Sequence, residues 1–213
     1  MSTQKTSLQT WVYLAGISGL LSVLSYFGAA FLPLPDDLTR LLAFAFGPLL
    51  SISFLGTYRF MSNHHDGPLL QIACLFGIIA GVMVTSMLVV QVGNNMVRFD
   101  LLASASTDSA KESIKLAWGA VNRVQYLLDV VWDIYICVAA MLLGIAMLSH
   151  PRFGKIWGGL GVISGFLLLF LNLQTFPTAP AYAGSVDLGP LVALWMMSAF
   201  IRMLFIKYNN SEI

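Results

Sequence analysis

The sequence predicts an all-α fold, a polytopic membrane bundle of about six transmembrane helices that forms one integral membrane domain over residues 1–213. Composition is the first observation, because 58% of the residues are hydrophobic and 10% are charged, whereas soluble domains carry about 25% charged residues. The second is a series of uncharged stretches near the roughly 20 apolar residues that a helix needs to cross the hydrocarbon core. The third is continuity, since no Pro/Gly/Ser-rich linker and no block of charge divides the chain.

The uncharged stretches place the spans in chain order. Long segments without formal charge predict the first, second, third and fifth spans. The fourth span contains two acidic residues, and the sixth contains one Arg. Proline, glycine and charged residues separate neighbouring spans where a helix is expected to end. The expected spans cover residues 10–33, 38–60, 68–92, 124–148, 156–175 and 189–207.

The longest connection in this topology joins spans three and four, over residues 93–122. Within it, Ser109 and Glu112 have the spacing of a capping box, which marks the start of a helix. Apolar residues then recur at helical spacing beside lysines. We therefore predict a helix over residues 108–123 that either extends span four beyond the bilayer or lies in the membrane interface.

The distribution of Lys and Arg indicates the orientation. An even number of spans places both termini on one side, and basic connectors are retained in the cytoplasm. Lys and Arg divide almost evenly between the two sides, but the compact basic connector over residues 151–155 falls on the terminal side. The expected location is the cell membrane, multi-pass, with cytoplasmic termini.

Composition and small residues also bear on partners. The formal net charge is +1 and the basic residues are scattered, so nucleic acid is not an expected partner. The lipid bilayer is the expected surrounding. The GxxxG pairs Gly77/Gly81 and Gly161/Gly165 let helix backbones approach closely. Such contacts form either within the bundle or with another membrane protein or a second copy of the chain.

Two carboxyl groups inside span four are the most costly polar groups in the chain. Asp129 and Asp133 are four residues apart, so they lie one above the other on a helix face that continues outward through Gln125. Asp133 is about 14 Å from the start of the span at 1.5 Å per residue. A charge at a helix centre costs ~2.5–3.5 kcal/mol on insertion scales. These carboxyl groups must therefore be protonated, paired or hydrated.

Polar residues from other spans are expected at the same depth. The outer end of span three carries Asn94, Asn95 and Arg98, and the outer end of span five carries Asn172. Together they predict a polar, non-cytoplasmic cavity that binds an ion, a proton or a polar head group. The predicted binding residues are Asp129, Asp133, Asn94, Asn95, Arg98 and Gln125. The alternative is that the acids pair with Arg98 or Arg123, or hydrogen-bond with the amides, and only fix the packing.

No catalytic template fits the sequence. Ser18 and Ser164 precede glycines but lack the GxSxG context of a nucleophile elbow. All three His residues fall in predicted connectors, and the adjacent pair His64 and His65 has no third metal ligand at a suitable spacing. We therefore predict no catalytic residue, no metal and no cofactor.

One connector carries a resemblance. Residues 150–155 read His-Pro-Arg-Phe-Gly-Lys and are followed by the glycines of residues 158–161. This stretch resembles a connector of small uncharacterised bacterial multi-span membrane proteins, in which a Pro-Arg-apolar-Gly turn precedes a Gly-rich helix. The resemblance is confined to this connector and implies no site residues.

Three functions are compatible with these features. The first is binding or translocation of a small solute, ion or proton through a polar cavity lined by the carboxyl groups of span four. The second is a non-catalytic structural or accessory subunit of a larger membrane complex. The third is a lipid-modifying membrane enzyme, which would need a base or a metal at interfacial depth.

Overall fold

A computed structural model describes residues 2–64 and 66–206, and only the backbone of residues 2–7. The described residues form six α-helices and no strand, which confirms the all-α fold class. The helices are α1 (Ser2–Phe31), α2 (Asp36–Ser62), α3 (Pro68–Ser104), α4 (Asp108–Leu148), α5 (Gly154–Thr175) and α6 (Gly189–Leu204).

Five of these helices, α1 to α5, are long and apolar enough to cross a membrane, and α6 is a shorter apolar helix of 16 residues. Their outer surfaces carry large apolar side chains, such as Ile156 and Phe166 on α5, which are 69% and 56% exposed. Lipid tails can cover such a surface, whereas its exposure to water would be unfavourable in free energy. The chain is therefore a multi-pass membrane protein.

The helices form a closed ring. Each helix packs mainly against its neighbours in the chain, and α6 returns to pack against α1. We call the side where α1 begins and α6 ends the near side; it holds the connectors over residues 63–67 and 149–153. The opposite, far side holds the connectors over residues 32–35, 105–107 and 176–188.

Two helices project beyond the bilayer on the far side. The helix α4 has 41 residues and is about 60 Å long, roughly twice the thickness of a hydrocarbon core. It begins at Asp108 without interruption, so the predicted helix over residues 108–123 is a straight extension of span four. The helix α3 also continues to Ser104, although the sequence predicted a connection from residue 93 onward. We call residues 92–104 and 108–123 the far-side hairpin.

The start of α4 differs from the predicted capping box. Thr107, not Ser109, is the N-cap residue, with φ −123° and ψ 151°. Its side-chain oxygen accepts a hydrogen bond from the backbone N–H of Ala110 at 3.2 Å. Both residue types cap well, and the sequence spacing favoured Ser109 because Glu112 follows it. The N-cap therefore lies two residues earlier than Ser109, at the end of the short connector, and the helix begins at Asp108.

Glycines set the closest helix contacts, all of them within the chain. A side-chain methyl placed on Gly158 of α5 would lie 2.7 Å from the carbonyl oxygen of Gly144 on α4. The predicted GxxxG pairs also face neighbouring helices of the same bundle. Gly77 lies against Phe54, Gly81 against Gly47, Gly161 against Trp195 and Gly165 against Cys137. These glycines therefore let α2, α4 and α6 pack closely against α3 and α5.

The near half of the ring interior is densely packed. A cavity of about 10 Å³ remains there, lined by side chains that include Phe54, Met196 and Met203. A space of this size holds about one water molecule. Little free space therefore remains at this point of the ring interior.

An aromatic cluster with one buried His closes the near side. The His150 side chain is 4% exposed, and its ring centroid lies 4.9 Å from Phe60 and 5.3 Å from His64. Its Nδ1 atom accepts a hydrogen bond from the backbone N–H of Arg152 at 3.2 Å. Burial, with smaller contributions from His64 and Arg152, lowers the pKa of His150 to about 4.

This shift predicts a pH dependence of stability. An unfolded His titrates near pH 6.5, so between about pH 6.5 and 4 the unfolded chain binds a proton that folded His150 does not. The free energy of unfolding should be highest above pH 6.5 and decrease as the pH falls through this window. Thermal unfolding in detergent should show that His150→Gln removes much of this dependence, whereas His64→Gln, at an exposed position, retains it. Equal pH dependence in His150→Gln and the parent would contradict this assignment.

Candidate functional site

The two acids predicted from the sequence lie on one face of α4, in the far half of the ring. Asp133 is buried, with 7% of its surface exposed, and Asp129 is partly buried one turn farther out. Asp133 is about 22 Å from the near end of α4 at 1.5 Å per residue. Both carboxyl groups are therefore removed from the near side by most of the thickness of the hydrocarbon core.

Side chains from the far ends of α5 and α6 approach these acids. The side chain of Asn172, which is 4% exposed, donates a hydrogen bond to the backbone oxygen of Leu168 at 3.1 Å and lies beside the carboxyl group of Asp133. Asp187, just before α6, is exposed and accepts a hydrogen bond from the backbone N–H of Gly189 at 2.8 Å, and its charge also acts at longer range on Asp129 and Asp133. The site therefore combines three carboxyl groups, and we call Asp129, Asp133 and Asp187 the carboxyl cluster.

No basic side chain neutralises the carboxyl cluster within the described part of the chain. The ion pairs found there are Arg40–Asp37, Lys111–Asp108 and Lys115–Glu112, all within single helices. The alternative in which Arg98 or Arg123 pairs with Asp129 or Asp133 therefore does not occur among residues 2–64 and 66–206. The carboxyl cluster has an excess of negative charge whenever more than one of its groups is ionised.

Aromatic side chains border the carboxyl cluster. Tyr26 on α1 lies within electrostatic range of all three acids. Its ring centroid is 5.0 Å from that of Phe46 on α2, which in turn lies 6.1 Å from Trp132 on α4. The indole Nε1 of Trp132 is buried and donates no hydrogen bond to any described residue. The negative faces of aromatic rings attract cations, as carboxylates do.

The other predicted site residues lie farther out. Asn94 donates a hydrogen bond to the backbone oxygen of Trp118 at 3.2 Å, and Trp118 Nε1 donates to the side-chain oxygen of Asn95 at 3.0 Å. The guanidinium of Arg98 lies 4.3 Å from the Trp118 ring centroid. Trp118 precedes Asp129 by about 16 Å along α4. Asn94, Asn95 and Arg98 thus hold the two helices of the far-side hairpin together. Gln125 is 4% exposed and lies one turn farther out than Asp129 on α4.

Trp118 should therefore stabilise the far-side hairpin. Trp118→Ala removes the cation–π contact with Arg98 and the hydrogen bond to Asn95, at a cost of about 2 kcal/mol. We expect faster proteolysis at residues 105–107 and a lower Tm in detergent. Leu116→Ala is the matched control, because Leu116 is 68% exposed on the same helix. Equal proteolysis rates in both variants would contradict this role for Trp118.

Tyr26, Trp132 and Asp187 were not predicted from the sequence to belong to the site. Two of them carried a weak signal: Trp132 precedes Asp133, and Asp187 opens the last helix. Tyr26 carried none, because nothing in the order of the helices places α1 near the acids of α4. Ring closure through the contact of α1 with α6 brings them together.

The described residues hold no group of three or more His, Cys, Asp or Glu side chains that could hold a metal ion. The carboxyl cluster is therefore spaced more widely than a set of ligands around one metal.

No protein-family model matches the chain, and no curated protein and no solved structure matches it.

Proposed function

We propose that this integral membrane protein binds a proton or another monovalent cation at the carboxyl cluster and translocates it. The observation that carries the proposal is the grouping of Asp129, Asp133 and Asp187 with no basic partner among the described residues. Burying a carboxylate without a counter-charge is costly. A bound cation or proton removes that cost, and so the buried carboxyl groups favour binding of one.

Buried hydroxyl groups support a cation over an anion. Ser22 and Ser25 on α1, and Ser53 and Thr57 on α2, are at most 5% exposed. Each hydroxyl donates its hydrogen to a backbone oxygen of its own helix, at 2.7 to 2.8 Å. Because the hydrogens are used in this way, a cation that crosses the bundle beside these hydroxyl groups would meet only their lone pairs. Lone pairs stabilise cations and repel anions.

Packing indicates how translocation would proceed. Side chains of α2, α4 and α6 pack around a cavity of only about 10 Å³ in the near half of the ring interior. A cation at Asp133 therefore needs a rearrangement of the helices before it can leave toward the near side. Repacking between two conformations is the usual way in which such bundles expose one site to alternate sides.

We also propose that the near side is cytoplasmic. Lys and Arg divide almost evenly between the two sides, but the near side holds the compact basic connector with Arg152 and Lys155. Basic residues near the ends of spans are retained on the cytoplasmic side during insertion.

The proposal is tested by binding and flux measurements on the purified full chain in proteoliposomes. Protons, Na⁺, K⁺ and tetramethylammonium are presented one at a time across a gradient, with protein-free vesicles as the reference. We expect flux and saturable binding for at least one of these cations. Absence of both for all four would overturn the proposal.

A second candidate function is that of a non-catalytic subunit that docks on another membrane protein or on a second copy. The observation in its favour is the far-side hairpin, where Val97, Phe99 and Leu116 are 56%, 66% and 68% exposed. Apolar side chains at these levels beyond the bilayer are typical of an interaction surface. The variant Asp133→Asn distinguishes this function from cation translocation, because it should abolish cation binding in one case and alter only assembly or stability in the other.

A further inference from the structure

A second polar recess lies on the far side, apart from the carboxyl cluster. It is a cleft of about 670 Å³ between α4 and the connector over residues 176–188. This volume falls within the range of small-molecule sites, roughly 300–1,000 Å³. Its lining includes Arg123, Tyr126, Leu127, Pro177, Thr178 and Tyr182, and we call it the Arg123 cleft.

Arg123 has an uncompensated positive charge. Its side chain is exposed, and it belongs to none of the three ion pairs found among the described residues. A guanidinium presents several N–H donors in a planar fork that matches the oxygens of a phosphate group. Within the cleft, this side chain therefore favours an anionic, oxygen-rich ligand.

Hydroxyl donors lie beside Arg123. The Tyr126 and Tyr182 hydroxyl groups lie 3.4 Å apart and share one hydrogen bond, so the hydrogen of one of them stays available to a ligand. Thr178 adds a second hydroxyl to the cleft. A phosphate group accepts several such bonds at once, whereas a carboxylate has only two oxygens. The donor set therefore suits a phosphate.

The rest of the lining is apolar. Leu127 and Pro177 border the same cleft, and Leu127 is 43% exposed. Leu127 lies one turn from Arg123 on the side toward the membrane, so an apolar chain joined to the phosphate would extend from the guanidinium toward the lipid. The cleft is thus polar at Arg123 and apolar at Leu127, which lies closer to the membrane.

We propose that the Arg123 cleft binds a phosphate ester, with the phosphate at Arg123, Thr178 and Tyr182 and its organic part on Leu127 and Pro177. Two sources share this chemistry, a phospholipid head group and a soluble phosphate ester. The proposal is independent of cation binding at the carboxyl cluster, because the two sites use different residues and opposite charge.

The test measures binding to the purified full chain in detergent micelles. Native mass spectrometry measures dioleoylphosphatidylglycerol binding, and titration calorimetry measures glycerol 3-phosphate binding. Arg123→Gln should weaken binding about tenfold, the usual effect of losing one charge-assisted hydrogen bond. Lys115→Gln is the control, since it makes the same charge change two turns away on α4, outside the cleft.

The two probes separate the sources. Arg123-dependent binding of the lipid alone assigns a head-group site, and Arg123-dependent binding of glycerol 3-phosphate assigns a soluble ligand. The proposal is overturned if neither probe binds the unmodified protein, or if Arg123→Gln and Lys115→Gln weaken binding equally.

Discussion

Asp133→Asn is expected to weaken cation binding by a hundredfold or more and to abolish flux in proteoliposomes. Asp133 is 7% exposed and has no basic partner among the described residues, so a bound cation would be the main counter-charge of its carboxylate. Two unit charges 4 Å apart attract by about 4 kcal/mol at an effective dielectric constant of 20. That energy corresponds to roughly a thousandfold in affinity. Imperfect geometry reduces this gain, which is why the expected loss of affinity is a hundredfold or more.

Asn is the appropriate replacement because it has nearly the same shape and still bonds to an amide such as Asn172. It also removes the cost of burying a charge, and so the Tm of the variant should equal or exceed that of the parent. Asp100→Asn is the control, because Asp100 is exposed on the far-side hairpin and makes the same change of charge.

The outcomes separate the candidate functions. Loss of binding with an unchanged Tm supports cation translocation. Unchanged binding with altered assembly or a lower Tm would instead support the accessory-subunit function, in which the acids serve only packing. Equal loss in Asp133→Asn and Asp100→Asn would show that surface charge, and not the buried site, attracts the cation.

Gly158→Leu is expected to prevent the assembly of α5 against α4. A Cβ atom at this position would lie 2.7 Å from the carbonyl oxygen of Gly144 and 2.8 Å from the backbone nitrogen of Leu148. Both neighbours are backbone atoms, which cannot rotate away as a side chain can. The helices must separate to admit the larger side chain, at a cost of about 3 kcal/mol or more.

The next residue provides a matched control. Gly159 belongs to the same turn of α5, and a Cβ atom there meets no atom within 4 Å. Gly159→Leu should therefore keep the parent's Tm or raise it slightly, because Leu forms helices better than Gly by roughly 0.8 kcal/mol. Size-exclusion chromatography after heating in detergent distinguishes the two variants. If they lose folded protein at the same temperature, the close contact of α4 with α5 is not present in the native protein.

The carboxyl cluster also depends on this contact. Asn172 lies on α5, and its position beside Asp133 requires α5 to remain close to α4. Gly158 is thus far from the acids in the fold but sets the spacing of the helix pair that holds them. Variants at Gly158 should therefore be read as changes in assembly, and variants at Asp133 as changes in the site.

The sequence by itself determined the class and the helices of this protein. A chain with 58% hydrophobic and 10% charged residues has no alternative to burial in lipid, and backbone groups in lipid must be satisfied within helices. Helix formation is local, so the runs of apolar residues predicted α1, α2, α5 and the inner part of α4 directly. The spacing of Asp129 and Asp133 likewise placed both on one face, because residues four apart in an α-helix lie one above the other.

Where the sequence pattern was ambiguous, the structure differed from the prediction. The end of α3 beyond residue 92 is rich in polar residues, and its pattern did not distinguish a connection from a solvated helix. Contacts with Trp118 of α4 stabilise it as a helix. The same contacts explain why Asn94, Asn95 and Arg98, which have the right polarity for the site, lie instead in the far-side hairpin.

Only the tertiary structure decided which residues surround the acids. Asp187 and Tyr26 come from opposite ends of the chain, and they reach Asp129 because α6 packs against α1 and closes the ring. The lack of a basic partner among the described residues was decided in the same way, since Arg98 stacks on Trp118 and Arg123 borders a separate cleft. The periodicity of a sequence shows on which face of its helix a side chain lies. Which residues that face contacts depends on how the six helices pack together.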